Sequence, residues 1–182
     1  FLTFVVALAR RSLSWAKMGT VVIETLSATA TVFLIIIGAF VFIPFMSMTE
    51  LPAHLVTILT SLPIGSIGIL LIIILIYMFL GMFLEGIAML VLTIPVVIPI
   101  AMGMGWDLVW FGIIVVVVLE MGMISPPVGI NVFVVKSIAP EVPMGTIFRG
   151  IWPFWFAMAL LLLLLVLFPQ IALFLPQALV GG

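Results

Sequence analysis

Long apolar runs separated by short polar stretches dominate the pattern of the chain. The run from about Thr20 to Pro44 is long enough to cross the ~30 Å hydrocarbon core of a bilayer as a helix. Two more runs follow, Gly65–Gly105 and Asp107–Ala139, and a last run extends from Ile151 to about Pro176. This pattern predicts an all-α integral membrane fold built from spanning helices.

The shorter stretches between and beyond these runs predict less regular structure. They are the end of a preceding helix at 1–9, a basic loop at 10–17, an interfacial connector with a short amphipathic helix at 46–63, a connector at 140–150 and a frayed tail at 179–182. We expect three parts, with boundaries at 1–64, 65–139 and 140–182.

Composition places the chain in the membrane class. Of its 182 residues, 67% are hydrophobic and only 6% are charged, whereas a soluble domain carries roughly 25% charged residues. A water-soluble fold of this length could not bury so much apolar surface. The lack of cysteine excludes disulfides and thiolate metal sites, and the single histidine, His54, excludes a multi-histidine metal centre within this chain.

The start of the chain predicts a piece of a longer protein. Its first residue is Phe1, and the first basic residues, Arg10 and Arg11, come after an apolar run rather than before it. This order differs from that of a signal peptide, so we expect Phe1 to be an internal position.

The basic residues set the predicted orientation. They are Arg10, Arg11, Lys17, Lys136 and Arg149. The positive-inside rule places the loops that carry them in the cytoplasm. The connector at 46–63 then faces outside, and the segment Gly65–Gly105 must begin and end outside.

The segment Gly65–Gly105 can begin and end on the outer side of the membrane in two ways. It crosses the membrane twice, with Glu85 and Gly86 forming an inside turn, or it forms a re-entrant hairpin that turns within the protein. A two-residue inside turn without Lys or Arg is unusual, which favours a hairpin over about 65–105.

The segment "EMGMISPPVGIN", from Glu120 to Asn131, indicates a broken helix over about 107–139. As one straight helix that run would be about 50 Å long, well beyond the hydrocarbon core. Pro126 and Pro127 lack N–H donors, and Gly129 permits unusual backbone angles. We therefore predict half-helices at 107–124 and 129–138, joined by an extended link.

A break of this kind can bind ions. The first half-helix would end in carbonyl groups without partners, which can coordinate a dehydrated cation such as Na⁺, and the second would begin with free N–H groups that can hold a carboxylate. Discontinuous helices in secondary transporters bind ion and substrate in this way. Ser125 and Asn131 add side-chain oxygens. The alternative is a simple proline kink without a ligand.

Polar residues elsewhere in the apolar runs allow more than one role. Glu85 is a functional candidate because an ionisable group at membrane depth is unfavourable, but it could equally cap the following helix. Glu120 could pair with a group outside this chain. Thr29 and Thr31 could be ligands, although threonine in a membrane helix most often bonds its own backbone.

Two long motifs resemble a known family. They are "GMFLEGIAMLVLTIPVVIPI" (Gly81–Ile100) and "GMISPPVGINVFVVKSIAP" (Gly122–Pro140). With "TATVFLIIIGA" (Thr29–Ala39) and "VPMGTIFRGIWPF" (Val142–Phe154), they are similar to the large membrane subunit, the M subunit, of tripartite ATP-independent periplasmic (TRAP) transporters. The resemblance covers essentially the whole chain.

The resemblance implies an ion-transporter-like, elevator-type fold. The M subunit has two inverted repeats, each with a re-entrant hairpin and a broken helix, and this chain would be the second; the first repeat, and half of any site, would be missing. Residues 65–139 would be the moving transport part, and the helices at 20–44 and 151–176 mainly scaffold. Together with the chemistry of the individual residues, this gives the predicted sodium- and substrate-binding residues, which are Ser125, Pro126, Gly129, Asn131, Glu85, Gly86 and Thr29.

The resemblance also implies activity and partners. Family members are Na⁺-driven symporters of organic acids such as C4-dicarboxylates, 2-oxo acids and sugar acids, with Na⁺ as coupling ion and no other cofactor. A soluble periplasmic binding protein delivers the substrate, and a small four-helix membrane subunit braces the permease. The expected location is the bacterial inner membrane, as a multi-pass protein.

Three other functions compete with this one. A related sodium–carboxylate carrier would work without a binding protein, and a purely structural membrane subunit would tolerate changes at Ser125 and Asn131. An intramembrane enzyme fares worst, because the chain has no His-Glu-x-x-His or Gly-x-Ser-x-Gly motif, and its only aspartate is Asp107.

Overall fold

The computed structural model describes residues 15–180, apart from the side chains of Ala16, Lys17, Ser47 and Val180. Every regular element in that range is an α-helix, which confirms the all-α prediction for the described residues. The helices are α1 Trp15–Met48, α2 Leu51–Ser61, α3 Gly65–Gly81, α4 Gly86–Gly103, α5 Leu108–Met123, α6 Ile130–Ile138, α7 Met144–Leu167 and α8 Gln170–Val180.

Within the described residues, three helical segments are long and apolar enough to span a membrane. They are Met18–Met46, Gly86–Gly103 and Met144–Leu167. Helices α3 and α5 are equally apolar but shorter, at 17 and 16 residues, or about 25 Å each. These lengths and compositions agree with an integral membrane protein. Whether the α3–α4 hairpin is re-entrant stays a prediction.

Helix α5 lies at the centre of the described part, where it packs against α3, α4, α6, α7 and α8. Its side chains Ile114, Val118 and Met121 are each only 1% exposed. Because lipid tails are as apolar as these side chains, close packing rather than removal from water holds such helices together. The half-helix before the predicted break is therefore the most firmly held element of the described chain.

Polar contacts fix the N-terminal end of α5. The Asp107 carboxylate accepts hydrogen bonds from the N–H groups of Val109 at 2.8 Å and Trp110 at 3.1 Å, so it satisfies donors that the first turn leaves free. The Trp110 indole donates to the carbonyl oxygen of Leu165 at 2.7 Å. This bond ties α5 to α7.

Helix α1 lies at the edge of the bundle. In the part of the chain that the structure describes, it packs against α4 and α2 and not against α5 or α6. Most of its apolar side chains are exposed, including Phe33, Leu34 and Phe40. Lipid or other protein segments must cover this face in a membrane.

The structure corrects the predicted bounds near the N-terminus. The proposed helix end at 1–9, together with Arg10 and Arg11, lies outside the described residues. Helix α1 is described from Trp15 onward. It includes Lys17, which is therefore helical rather than in a loop, and it continues through Pro44 to Met48. The continuation is possible because the loss of one N–H at Pro44 removes a single backbone bond. The short helix predicted in the connector is present as α2.

The C-terminal prediction of one helix from Ile151 to Pro176 is wrong at both ends. Helix α7 begins at Met144, directly after Pro143, so most of the predicted connector 140–150 is helical. It ends at Leu167, and α8 follows after Pro169. Pro169 lacks the N–H that would continue α7. Helix α8 also includes Leu179, which was expected in a frayed tail.

Candidate functional site

The break between α5 and α6 is the centre of the candidate site. Helix α5 ends at Met123 and α6 begins at Ile130, so the predicted half-helices agree with the structure to within a residue at each end. The link begins with a tight turn, because the Ser125 N–H donates to the Gly122 carbonyl at 2.9 Å. The prediction of an extended link was therefore wrong for its first residues.

Ser125 is held by two hydrogen bonds. Its side chain is buried, at 3% exposure. Its Oγ donates to the Met121 carbonyl at 2.6 Å and accepts from the Trp155 indole Nε1–H at 2.9 Å. A hydroxyl has one donor and two acceptor lone pairs, so only one lone pair of Ser125 stays available to a ligand.

The carbonyl end of the break has free acceptors. No N–H group of the described residues donates to the carbonyl oxygens of Met123 or Ile124. These groups close the C-terminal end of α5, where the helix carries a partial negative charge. This donor-free set of oxygens has the chemistry that Na⁺ ligation requires.

The N–H end of the break begins at Gly129. Its φ of 62° lies in the left-handed region, and a Cβ there would come within 3.0 Å of the Ser125 carbonyl oxygen and the Val132 side chain, so glycine is required. Asn131 follows in the first turn of α6 and is half-buried. Its amide makes no hydrogen bond to a described residue, so it stays available for a ligand.

The tip of the α3–α4 hairpin lies against the end of α5. Glu85 is the N-cap of α4, and its Oε2 accepts from the Ala88 N–H at 3.0 Å. Gly86 is buried, and a Cβ on it would lie 2.9 Å from the Leu119 side chain and 3.3 Å from the sulfur of Met123. The capping alternative for Glu85 is therefore confirmed, and the tip sits beside the turn that precedes the break.

The other predicted residues are placed differently. Pro126 is exposed and borders a cavity of about 10 Å³ with Ile124 and Trp155, room for about one water molecule. Thr29 is exposed on α1, which does not pack against α5 or α6 in the described range. Thr31 bonds the Ser27 carbonyl at 2.9 Å. The described chain therefore does not bring Thr29 to the break.

A larger cavity lies away from the break. It has a volume of about 770 Å³ and opens between the end of α1, the start of α2 and the middle of α4. Its lining is apolar apart from Glu50. None of the predicted site residues lines it.

Trp155 is the contact that sequence reasoning missed. It lies on α7 and reaches Ser125 across 30 positions of the chain. Its ring packs edge-on against Trp152 and Phe156, with ring centroids 5.6 Å apart in both pairs. The aromatic cluster "WPFWF" was a visible signal, but nothing in the sequence pairs it with the break.

Comparison with known proteins identifies the family. The family model for the DctM component of tripartite ATP-independent periplasmic transporters matches residues 1–171. The chain therefore belongs to this family of large TRAP transporter permease subunits, and it is a transporter component rather than an enzyme.

Several curated relatives agree with this assignment. The sialic acid TRAP transporter large permease protein SiaM of Vibrio cholerae is 34% identical over 158 residues, which cover 87% of this chain and 37% of that protein. The C4-dicarboxylate TRAP transporter large permease protein DctM of Pseudomonas aeruginosa is 29% identical over 174 residues, 96% of this chain and 40% of that protein.

A third relative has another substrate in its name. The isethionate TRAP transporter permease protein DctMQ of Oleidesulfovibrio alaskensis is 35% identical over 129 residues, 71% of this chain and 20% of that protein. The chain spans only 37% and 40% of the length of the first two relatives.

Proposed function

We propose that the chain is part of the permease subunit of a Na⁺-coupled symporter that imports organic acid anions across the bacterial inner membrane. The observation that carries this proposal is the break between Met123 and Ile130 in the most buried helix of the described chain. Broken backbone at membrane depth is tolerated only where protein or a water-filled cavity satisfies it. A pair of ligands of opposite charge would satisfy both of its ends.

The two ends have complementary chemistry. The carbonyls of Met123 and Ile124 would face Na⁺, and the N–H groups at the start of α6, with the free Asn131 amide, would hold the acid group of the substrate. Binding Na⁺ beside the anion offsets part of the cost of dehydrating both charges. Occupancy of one site would thereby raise the affinity of the other, which is the physical basis of symport.

The substrate class follows from the anion-binding end. The names of the relatives include sialic acid, C4-dicarboxylates and isethionate, each an organic acid that is ionised at neutral pH. A helix N-terminus recognises the acid group and not the rest of the molecule. We infer an organic acid anion as substrate, with the remaining specificity supplied by the part of the protein outside this chain.

The proposed partners are a periplasmic binding protein and a small four-helix membrane subunit. In an elevator mechanism, residues 65–139 would move against a scaffold that includes α1 and α7. Two hydrogen bonds, Trp155 to Ser125 and Trp110 to Leu165, cross this boundary. Either both bonds break during the cycle or α7 moves with the transport part.

The test is uptake by the full-length permease with its small subunit and binding protein in proteoliposomes. A panel of radiolabelled organic acids would be offered with and without an inward Na⁺ gradient. The proposal predicts accumulation of at least one acid that needs both the Na⁺ gradient and the binding protein. Accumulation without the binding protein would favour the sodium–carboxylate carrier instead, and uptake indifferent to Na⁺ would refute the coupling.

A further inference from the structure

The indole of Trp155 makes the one side-chain hydrogen bond that joins the α5–α6 break to another described helix. It donates to the Ser125 hydroxyl at 2.9 Å, and that hydroxyl donates onward to the Met121 carbonyl at 2.6 Å. The chain of bonds thus runs from α7 through the link to the last turn of α5.

The two hydrogen bonds flank the backbone carbonyls that would bind the cation in the proposed site. Met123 and Ile124 lie between Met121 and Ser125 in sequence, so the Ser125–Met121 bond fixes the backbone on both sides of them. Pro126 and Pro127 follow and have no N–H groups with which to anchor the link. The orientation of Ser125 is therefore set by its backbone bond to Gly122 and by its two side-chain bonds.

Trp155 is half-buried and packs against two aromatic neighbours on its own helix. Its ring meets Trp152 at an interplanar angle of 67° and Phe156 at 89°, edge-to-face arrangements that aromatic rings favour. It also borders the cavity of about 10 Å³ beside Ile124 and Pro126.

We propose that Trp155 is a positioning residue for the cation site at the break. Its N–H directs the Ser125 hydroxyl toward Met121 and thereby fixes the direction of the Met123 and Ile124 carbonyls. This role rests on the proposed function, because it requires that these carbonyls bind the coupling ion. Trp155 itself does not touch the ion.

The test compares variants of the full-length permease, assembled with its partners in proteoliposomes. Trp155→Phe keeps an aromatic ring and removes the N–H. We expect it to raise the Na⁺ concentration for half-maximal uptake about three- to tenfold, the range that the loss of one hydrogen bond supports. Trp110→Phe is the matched control, because it removes an indole bond that joins α7 to α5 far from the break in sequence. We expect its Na⁺ dependence to stay within about twofold of wild type.

A double substitution tests whether Trp155 acts on the cation site through Ser125. If Trp155 acts through Ser125, Trp155→Phe should have no further effect on Na⁺ dependence in a Ser125→Ala background. Independent, multiplying effects would overturn the proposal. So would a Trp155→Phe protein with less folded material but unchanged Na⁺ dependence, or a Trp110→Phe protein with the same Na⁺ shift. Wild-type uptake that ignores Na⁺ would instead show that the proposed function itself has failed, and this role with it.

Discussion

The backbones of Gly81 and Gly122 touch where α3 crosses α5. A Cβ on Gly81 would lie 3.1 Å from the Cα of Gly122, and a Cβ on Gly122 would lie 2.9 Å from the Cα of Gly81 and from the Met78 carbonyl oxygen. Small residues at a crossing let membrane helices approach this closely. The crossing lies at the base of the hairpin tip and one turn before Ser125, so it sets the distance between the tip and the break.

Gly122→Ala should destabilise the protein by forcing α3 and α5 apart. Overpacking of this kind typically costs about 1–3 kcal/mol, and here the obstacle is backbone that cannot turn aside. The measurement is the thermal unfolding midpoint of the full-length protein in detergent.

Gly112→Ala is the matched control on the same helix. A Cβ on Gly112 meets nothing within 4 Å, and alanine favours helix over glycine by about 1 kcal/mol. We expect Gly112→Ala to be neutral or stabilising. Equal losses for the two variants would contradict the proposed role of the crossing.

Gly129→Ala should destabilise the protein by more than the cost of placing alanine in a left-handed backbone conformation. Gly129 and Gly105 have similar φ values of 62° and 71°, but only Gly129 has neighbours within reach of a Cβ. Both alanine variants bear the left-handed penalty of about 1–2 kcal/mol, and Gly129→Ala adds a collision with the Ser125 carbonyl. We expect a lower unfolding temperature for Gly129→Ala than for Gly105→Ala; the reverse order would argue against this geometry.

Removal of the Glu85 carboxylate should loosen the hairpin tip. Glu85→Ala deletes the cap on the Ala88 N–H, an interaction worth about 1 kcal/mol at a helix N-terminus. Glu50→Ala is the control, because Glu50 precedes α2 without making a side-chain cap. Amide hydrogen exchange at residues 86–89 should accelerate in Glu85→Ala alone, and unchanged exchange there would show that the cap is dispensable.

Lys136 should restrain the connector between α6 and α7. Its Nζ donates to the carbonyls of Pro140 at 2.6 Å and Val142 at 2.7 Å, at the negative end of α6. Lys136→Met should therefore speed amide exchange over 139–146. Arg149→Met removes an exposed cation that makes no such bond, and it should leave this exchange at the wild-type rate. An equal response of the two variants would mean that loss of charge, not of the bonds, is responsible.

The break could be predicted from sequence because its cause is local. Pro126 and Pro127 remove two consecutive N–H donors, and no tertiary arrangement can restore them. The capping role of Glu85 could also be predicted, since a carboxylate directly before an apolar helix is well placed to cap it. In both cases the decisive chemistry lies within a few positions of the residue concerned.

Other features depend on tertiary packing and were missed. The bond from Trp155 to Ser125 joins positions 30 apart, and its formation depends on how α7 crosses α5. The start of α7 at Met144 was also missed, because the hydropathy pattern indicates which residues can lie in the hydrocarbon core and not where the helix itself begins. Thr29 was grouped with the site on the polarity of its neighbours, but Thr25 and Thr31 bond their own helix backbone.

The most direct test of the account measures the Na⁺ dependence of uptake in Asn131→Leu. Asn131 carries the free side-chain amide in the first turn of α6, whereas the Ser137 hydroxyl, near the other end of the same helix, bonds the Val134 carbonyl at 2.7 Å. Ser137→Leu is therefore a matched polar-to-apolar control.

Asn131 would hold the acid group of the substrate, and substrate binding would raise the affinity for Na⁺. We therefore predict that Asn131→Leu, in the assembled transporter, raises the Na⁺ concentration for half-maximal uptake at least about threefold. Ser137→Leu should leave it unchanged. A folded Asn131→Leu protein with wild-type Na⁺ dependence would contradict the claim that the break between α5 and α6 is the ion and substrate site.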